Sequence, residues 1–291
     1  MNKRAEPAPG PALRDYACAE LDAAIAALEE PGEALHEGVH RARKSLRRTR
    51  ATLALGDRAL GPGYVLLDRE LHRINDGLSA LRDAQALVET LERLLARKRA
   101  AATRQPLQQA REAAVAARAA CAEAVLAVDP ALDQRRALLA VLRAAVPALA
   151  WERLTPAAVR VALADSERSM QRAWRRVAAG GEDGDDEGWH RWRRRARRVS
   201  QQRRALAAAA MPVATLARPD ATGAQRSGFD KRLTERLGQA QDLTLLLEHC
   251  GRDSPFSPAD RAALKAYAKP ELARSRKRIA AAAAAPPGDS A

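Results

Sequence analysis

The chain has 291 residues, 47% of them hydrophobic, so it is long enough to bury a core without disulfides or metals. Fifty lysines and arginines against 36 aspartates and glutamates give a net charge of +14, which favours polyanionic partners over acidic small molecules. Three widely separated cysteines exclude a disulfide framework and a zinc site, and they favour a cytoplasmic location. The first residues lack the apolar core of a signal peptide, and the longest apolar stretch, 205–217, is too short and proline-broken to span a bilayer, so we expect neither export nor a membrane anchor.

The composition predicts an all-α fold, because Ala, Leu, Arg and Glu are abundant and apolar residues recur at intervals of three and four. In the first half of the chain, the sequence predicts helices over about residues 13–30, 33–56, 63–100 and 104–128, and Pro106 is taken as a break. A segment at about 131–150 joins them to helices over about 155–178, 188–210, 225–250 and 258–283. Two starts carry capping signals, Thr155-Pro156 and Ser257-Pro258.

An internal repeat is the strongest sign of organisation. Two histidine-led basic segments, "HRARKSLRRTR" from residue 40 and "HRWRRRARRVSQQRR" from residue 190, are each followed by a leucine-rich segment. Four positions of the leucine-rich segments keep the same mutual spacing in both copies: Leu78 and Leu237, Asp83 and Asp242, Leu87 and Leu246, and Glu89 and Glu248. Two homologous halves follow from this spacing.

We therefore predict two tandem four-helix bundles related by a pseudo-twofold axis around a basic cavity. The first bundle takes residues 13–150 and the second residues 151–283. Residues 1–12, which are rich in proline, and 284–291, which are small and polar, are predicted to be disordered tails.

The first basic row is the charged side of the segment that begins at His40, and the second row is that of the segment that begins at His190. At 100° per residue, His40, Arg43, Lys44, Arg47 and Arg50 share a stripe about 120° wide, and His190, Arg193, Arg194, Arg197 and Arg204 repeat this pattern in the second row. Val39, Ala42 and Leu46, and likewise Trp192 and Val199, fall on a separate apolar stripe. A row spans roughly 15 Å along the helix, which suits a linear anion. Like charges at this spacing repel, so each row gives up stability for a function that we take to be anion binding. A merely solvated helix face is the simpler alternative.

The rows resemble the CHAD domain, a helical domain named for its histidines. The motif H-x-x-R-x-x-x-[KR]-[KR] occurs at His40 and again at His190, and the pair Arg82-Asp83 fits the family's downstream Arg-Asp pair. The resemblance covers about residues 13–283 and implies two pseudo-symmetric bundles that bind inorganic polyphosphate, often on polyphosphate granules. In the second copy, Gln241-Asp242 replaces Arg-Asp, and Val199, Ser200 and Gln201 replace the usual leucine, basic residue and aromatic.

Guanidinium groups match a phosphate polymer because their fixed forks donate two hydrogen bonds at once. The polyphosphate-binding residues predicted from the rows and the motif are His40, Arg43, Lys44, Arg47, Arg48, Arg50, Arg82, His190, Arg193, Arg194, Arg197, Arg198 and Arg204. Two later clusters, which include Arg172 and Arg176 and then Arg276 and Lys277, either extend the groove or compensate a helix dipole. Each histidine is either a structural hydrogen-bonding group or part of the anion site.

The acidic residues of the chain predict neither catalysis nor a metal site. A single aspartate beside an arginine more often orients that arginine, which is the role expected for Asp83 and Asp242. The acidic loop at 180–188 is either a divalent-ion site, a cover for the basic groove or a solvated hinge, and we assign it no metal.

Three functions compete on the sequence alone. A non-enzymatic polyphosphate-binding protein, cytoplasmic and associated with granules, agrees best with the paired rows. A DNA- or RNA-binding helical protein would explain the charge equally well, but the chain has few aromatic residues for stacking and no recognisable helix-turn-helix. A phosphatase or kinase would need a phosphate loop or paired acids within the rows, and the sequence has neither. No cofactor is predicted.

Overall fold

A computed structural model describes residues 8–96, 101–180, 186–210, 231–251 and 254–284. Within these ranges the chain is helical and contains no strand, which confirms the all-α fold class. The α-helices of the described ranges are α1 Pro9–Ala27, α2 Leu35–Leu53, α3 Gly63–Gly77, α4 Ser79–Leu95, α5 Ala101–Val128, α6 Asp133–Ala145, α7 Pro156–Ala179, α8 Asp186–Ala208, α9 Lys231–His249 and α10 Pro258–Ala284. Short 3-10 helices lie at Gly32–Ala34, Pro130–Leu132, Val146–Ala148 and Trp151–Arg153.

The chain divides into two compact units. Unit 1 consists of Met1–Leu78, Ala131–Arg175 and Arg194–Gln225, and unit 2 of Ser79–Pro130, Arg176–Arg193 and Arg226–Ala291. Each unit therefore combines segments from both halves of the sequence repeat, so the compact units do not coincide with a division at residue 150. Two tandem bundles related by a pseudo-twofold axis stay a prediction.

The core of unit 1 lies where α1 packs against α2 and α6, and where α3 packs against α2 and α6. Leu13, Leu21, Val39 and Leu46 are fully buried there. A Cβ atom at Gly38 would lie 2.2 Å from the backbone carbonyl oxygen of Ala27, so the two helices meet backbone to backbone at this point. This close approach fixes the position of α2, which carries the first basic row.

Unit 2 is built around α4, which packs against α5 and α9, while α10 packs against α5 and α9. Leu81, Leu91, Ala110, Leu246 and Ala268 are fully buried in this unit. The leucines of the repeated segment thus serve as core residues, as their spacing predicts.

Both predicted helix caps are confirmed. The backbone N–H of Ala158 donates to Thr155 Oγ1 at 3.2 Å at the start of α7. At the start of α10 the backbone N–H of Asp260 donates to Ser257 Oγ at 3.2 Å, and the Ser257 hydroxyl donates to Asp260 Oδ2 at 2.7 Å. These bonds satisfy backbone donors that have no partner inside the helix.

Several helix assignments differ from the sequence prediction, among them the connecting segment at 131–150, which contains the helix α6. The helix expected over 63–100 is divided at Leu78, whose side chain is fully buried, into α3 and α4. Pro106, predicted as a break, lies inside α5. The predicted tail 1–12 is also too long, because α1 begins at Pro9 and Gly10 packs against the carbonyl oxygen of Trp151; proline is tolerated in a first helical turn.

Some predictions fall on parts of the chain outside the described residues. These are residues 1–7 of the first tail, 181–185 of the acidic loop, 211–230, which include the start of the helix expected at 225, and 285–291 of the second tail. In the ranges that are described, no helix combines the length and apolarity needed to cross a bilayer.

Candidate functional site

The first basic row lies on α2, whose apolar side is held in the core of unit 1. Val39, Ala42 and Leu46 are fully buried, whereas Lys44 is exposed and Arg47 is part-exposed. The two stripes predicted from the sequence are therefore present, and the cationic stripe is accessible to solvent.

Four cations of unit 1 come together in what we call the unit 1 cluster: Lys44, Arg47 and Arg48 from α2 and Arg204 from α8. Burial lowers the pKa of Lys44, and the positive charges of Arg48, Arg204 and Arg47 lower it further. This effect requires the four side chains to be close, so part of the second basic row lies beside the first one within this unit.

Two arginines of the first row are held by carboxylates of neighbouring helices. Arg48 Nη1 donates to Glu20 Oε1 at 3.0 Å and to Oε2 at 3.3 Å, and both side chains are largely buried. Arg50 makes a two-bond fork with Asp68, at 2.8 Å and 3.1 Å. These carboxylates orient the two guanidinium groups and neutralise part of their charge.

Two further arginines of the basic rows, Arg43 and Arg198, lie against α3 in unit 1. Arg43 donates to the backbone carbonyl of Asn75 in α3. Burial and the charge of Asp68 raise the pKa of Tyr64, and Arg198 counteracts this rise, so Arg198 of α8 lies near the start of α3. The other predicted site residues found in unit 1 are His40, Arg172, Arg194 and Arg197.

Tyr16 lies next to the unit 1 cluster. Burial and the nearby Glu20 carboxylate raise its pKa to about 12, while the positive charges of Arg48 and Arg204 act in the opposite direction. The phenol is therefore uncharged at neutral pH and adds no negative charge to the cluster.

In unit 2 the beginning of the second basic row packs against α9. His190 Nδ1 lies 3.0 Å from Gln241 Oε1, which is a hydrogen bond when Nδ1 carries the proton. Arg193 is part-exposed, and burial lowers the pKa of its guanidinium while Asp242 opposes this shift. Gln241, which replaces the family's arginine, is thus a partner of the histidine.

A network of arginines and acids surrounds this contact in unit 2. Arg93 donates to Asp242 Oδ2 from Nη2 at 3.1 Å and from Nη1 at 3.2 Å. Arg82 donates to Glu89 at 3.0 Å. In this network, as at Arg48 and Arg50 of unit 1, carboxylates hold the arginines.

The two later basic clusters have different surroundings. Arg172, Arg176 and Lys277 are exposed. Arg276 is largely buried; it pairs with Asp186 and its guanidinium carbon lies 5.4 Å from the ring centre of Trp189. Arg276 therefore joins α10 to α8 within unit 2, a contact that neither sequence interpretation considered.

Sequence reasoning missed Glu20, Asp68 and Arg93. Arg93 follows Arg82 by eleven residues, which is three helical turns, so its position on the same face of α4 was a usable signal. Glu20 and Asp68 had no such signal, because each lies on a different helix from the arginine that it holds.

A family model described as the CHAD domain matches residues 16–251. Among solved structures, PptA from Streptomyces chartreusis has a TM-score of 0.59 at 19% identity, covering 94% of this chain and 97% of its own. The CHAD domain from the plant Ricinus communis has a TM-score of 0.55 at 21% identity, covering 99% and 91%. None of the curated proteins matches the sequence.

Proposed function

Since this chain belongs to the CHAD domain family, we propose that it binds inorganic polyphosphate through its two histidine-headed basic rows, as a binding protein without catalysis. The proposal extends to a cytoplasmic location on polyphosphate granules. The resemblance of both rows to the family motif supports the choice of ligand.

The unit 1 cluster is the observation that carries this proposal. Lys44 and Arg204 are exposed, and the guanidinium groups of Arg47 and Arg48 lie near enough to act on Lys44 electrostatically. Such crowding of like charges is unfavourable until an anion enters. A polymer with a negative charge on every phosphate supplies several anions to one cluster, and each arginine offers it a planar two-bond fork.

A binding role also agrees with the chemistry of the arginine-rich faces. Glu20 and Asp68, the acids next to the first row, are ion-paired with arginines, so they are better suited to orient these cations than to hold a catalytic metal. At Arg48 and Arg50 the first row therefore offers positive charge and oriented hydrogen-bond donors, which supports a binding role.

The test is a binding isotherm of the full chain with long-chain polyphosphate. Lys44→Glu and Arg204→Glu should each weaken binding at least about tenfold, because each puts a negative charge into the cluster. Arg69→Glu is the matched control: Arg69 is an exposed arginine of α3 outside the predicted site, and its reversal should change affinity by less than about twofold. Failure of the wild type to bind, or equal losses in all three variants, would overturn the proposal.

The alternative partner is nucleic acid, which the net charge of +14 also favours. Duplex DNA added to the polyphosphate complex at the same phosphate concentration and salt should displace little of it. Ready displacement would favour the nucleic-acid function. Phosphate released from the polymer in the presence of magnesium would contradict the non-catalytic role.

A further inference from the structure

Asp242 occupies a central position among the cations of unit 2. Its Oδ2 atom accepts hydrogen bonds from both terminal nitrogens of Arg93, at 3.1 Å and 3.2 Å. Arg93 also donates to Thr90 Oγ1 at 3.0 Å, which fixes the guanidinium from its own helix. The carboxylate of α9 thus sits on a guanidinium of α4 in the way that a phosphate oxygen would.

Arg193 of α8 lies on the same face of α9. A Cβ atom at Gly238, one turn before Asp242, would lie 4.0 Å from Arg193 Nη2, and Asp242 is the acid that most favours the charged form of Arg193. His190, one turn before Arg193, contacts Gln241, the neighbour of Asp242. Asp242 therefore acts on cations of two helices, Arg93 of α4 and Arg193 of α8.

The ion pair is within reach of solvent. The side chains of Arg93 and Asp242 keep 37% and 24% of their exposure, so an anion from solution can reach them. In the unit 1 cluster, by comparison, the acid that holds Arg48 is Glu20, and that pair is largely buried. Asp242, the carboxylate beside the beginning of the second row, is thus more open to solvent than Glu20, the carboxylate that holds Arg48 of the first row.

We propose that Asp242 is an intramolecular counter-anion that competes with phosphate for Arg93 and Arg193 and so lowers the affinity of unit 2 for the polymer. This inference rests on the proposed polyphosphate binding. Phosphate groups that bind there must displace the carboxylate, whereas those that bind the unit 1 cluster have no such exposed competitor at Arg48. Asp242 then sets the affinity of one end of the second row, in addition to orienting an arginine.

The test compares polyphosphate binding by Asp242→Asn with that of the wild type at constant salt. The substitution keeps the size of the side chain and removes its charge, so affinity should rise about fivefold. Asp22→Asn is the matched control, because Asp22 pairs with Arg143 at the surface of unit 1. Removing the charge of the Asp22 carboxylate raises the net charge of the protein by the same one unit as Asp242→Asn. The control should change affinity by less than about twofold.

Each result of this comparison either supports or overturns the proposed competition by Asp242. Tighter binding by Asp242→Asn than by Asp22→Asn supports competition. Weaker polyphosphate binding by Asp242→Asn than by the wild type shows that Asp242 only positions Arg93. Equal gains in affinity in both variants show an effect of net charge. Either result overturns the inference. Should Asp242→Asn not fold cooperatively, Asp242→Ser removes the same charge with a smaller side chain and is judged in the same way. Absence of binding by the wild type would instead refute the proposed function itself.

Discussion

The cations of the basic rows differ in the charged groups that lie next to each of them. Arg48 and Arg50 are held by Glu20 and Asp68, whereas burial and the charges of Arg48, Arg204 and Arg47 lower the pKa of the exposed Lys44. An arginine whose orientation is already fixed loses less conformational freedom when it binds phosphate. We therefore interpret the paired arginines as the fixed part of the site and the exposed cations as its first contact with the ligand.

Glu20 provides a prediction at this scale. Glu20→Gln should lower the free energy of unfolding by about 2 kcal/mol, because it leaves the Arg48 charge largely buried without its carboxylate. Urea unfolding followed by circular dichroism measures the change. Asp22→Asn, which removes one acid from an exposed ion pair, should cost about 0.5 kcal/mol or less. Equal effects of the two substitutions would show that burial of the Glu20 pair contributes nothing.

The helix α2 carries the first basic row at a fixed position because its backbone approaches that of α1 closely at a small residue. At Gly38, two residues before His40, α2 lies against the last turn of α1. The position of the first row therefore depends on a close backbone contact just before the row. Sequence periodicity predicted this helix and its two stripes well, because both properties are local to the segment.

Gly38→Ala is the corresponding prediction. The added methyl group would overlap the carbonyl oxygen of Ala27, so α1 and α2 must separate and the free energy of unfolding should fall by about 2 to 3 kcal/mol. Gly77→Ala is the control, since the nearest heavy atom to its Cβ would be Arg135 Nε at an ordinary 3.7 Å. Thermal unfolding should show this second variant as stable as the wild type or slightly more so. A Gly38→Ala protein of wild-type stability would contradict the close contact.

For the whole molecule, net charge and the number of cations in contact with the ligand govern the response to salt. If the four cations of the unit 1 cluster neutralise phosphates, raising monovalent salt from about 50 to about 200 mM should weaken polyphosphate binding roughly a hundredfold. Fluorescence anisotropy with labelled polyphosphate at several salt concentrations gives the slope of log affinity against log salt. A slope near zero would mean that the ligand is held by contacts other than these charges.

The sequence by itself determined the all-α class, the caps at Thr155 and Ser257, and the stripes of the basic rows. Each of these depends on hydrogen bonds and side-chain directions within one helix or at its end, so a window of a few residues contains the needed information.

Only the tertiary structure decided which cations meet and which acids hold them. Arg48 pairs with a glutamate 28 residues away, and Arg93 with an aspartate 149 residues away. The energy of an ion pair depends on distance through space and on burial, and both are set by the packing of helices rather than by separation along the chain. The composition of the two compact units, which also depends on how helices distant in sequence pack, became visible only in the tertiary structure.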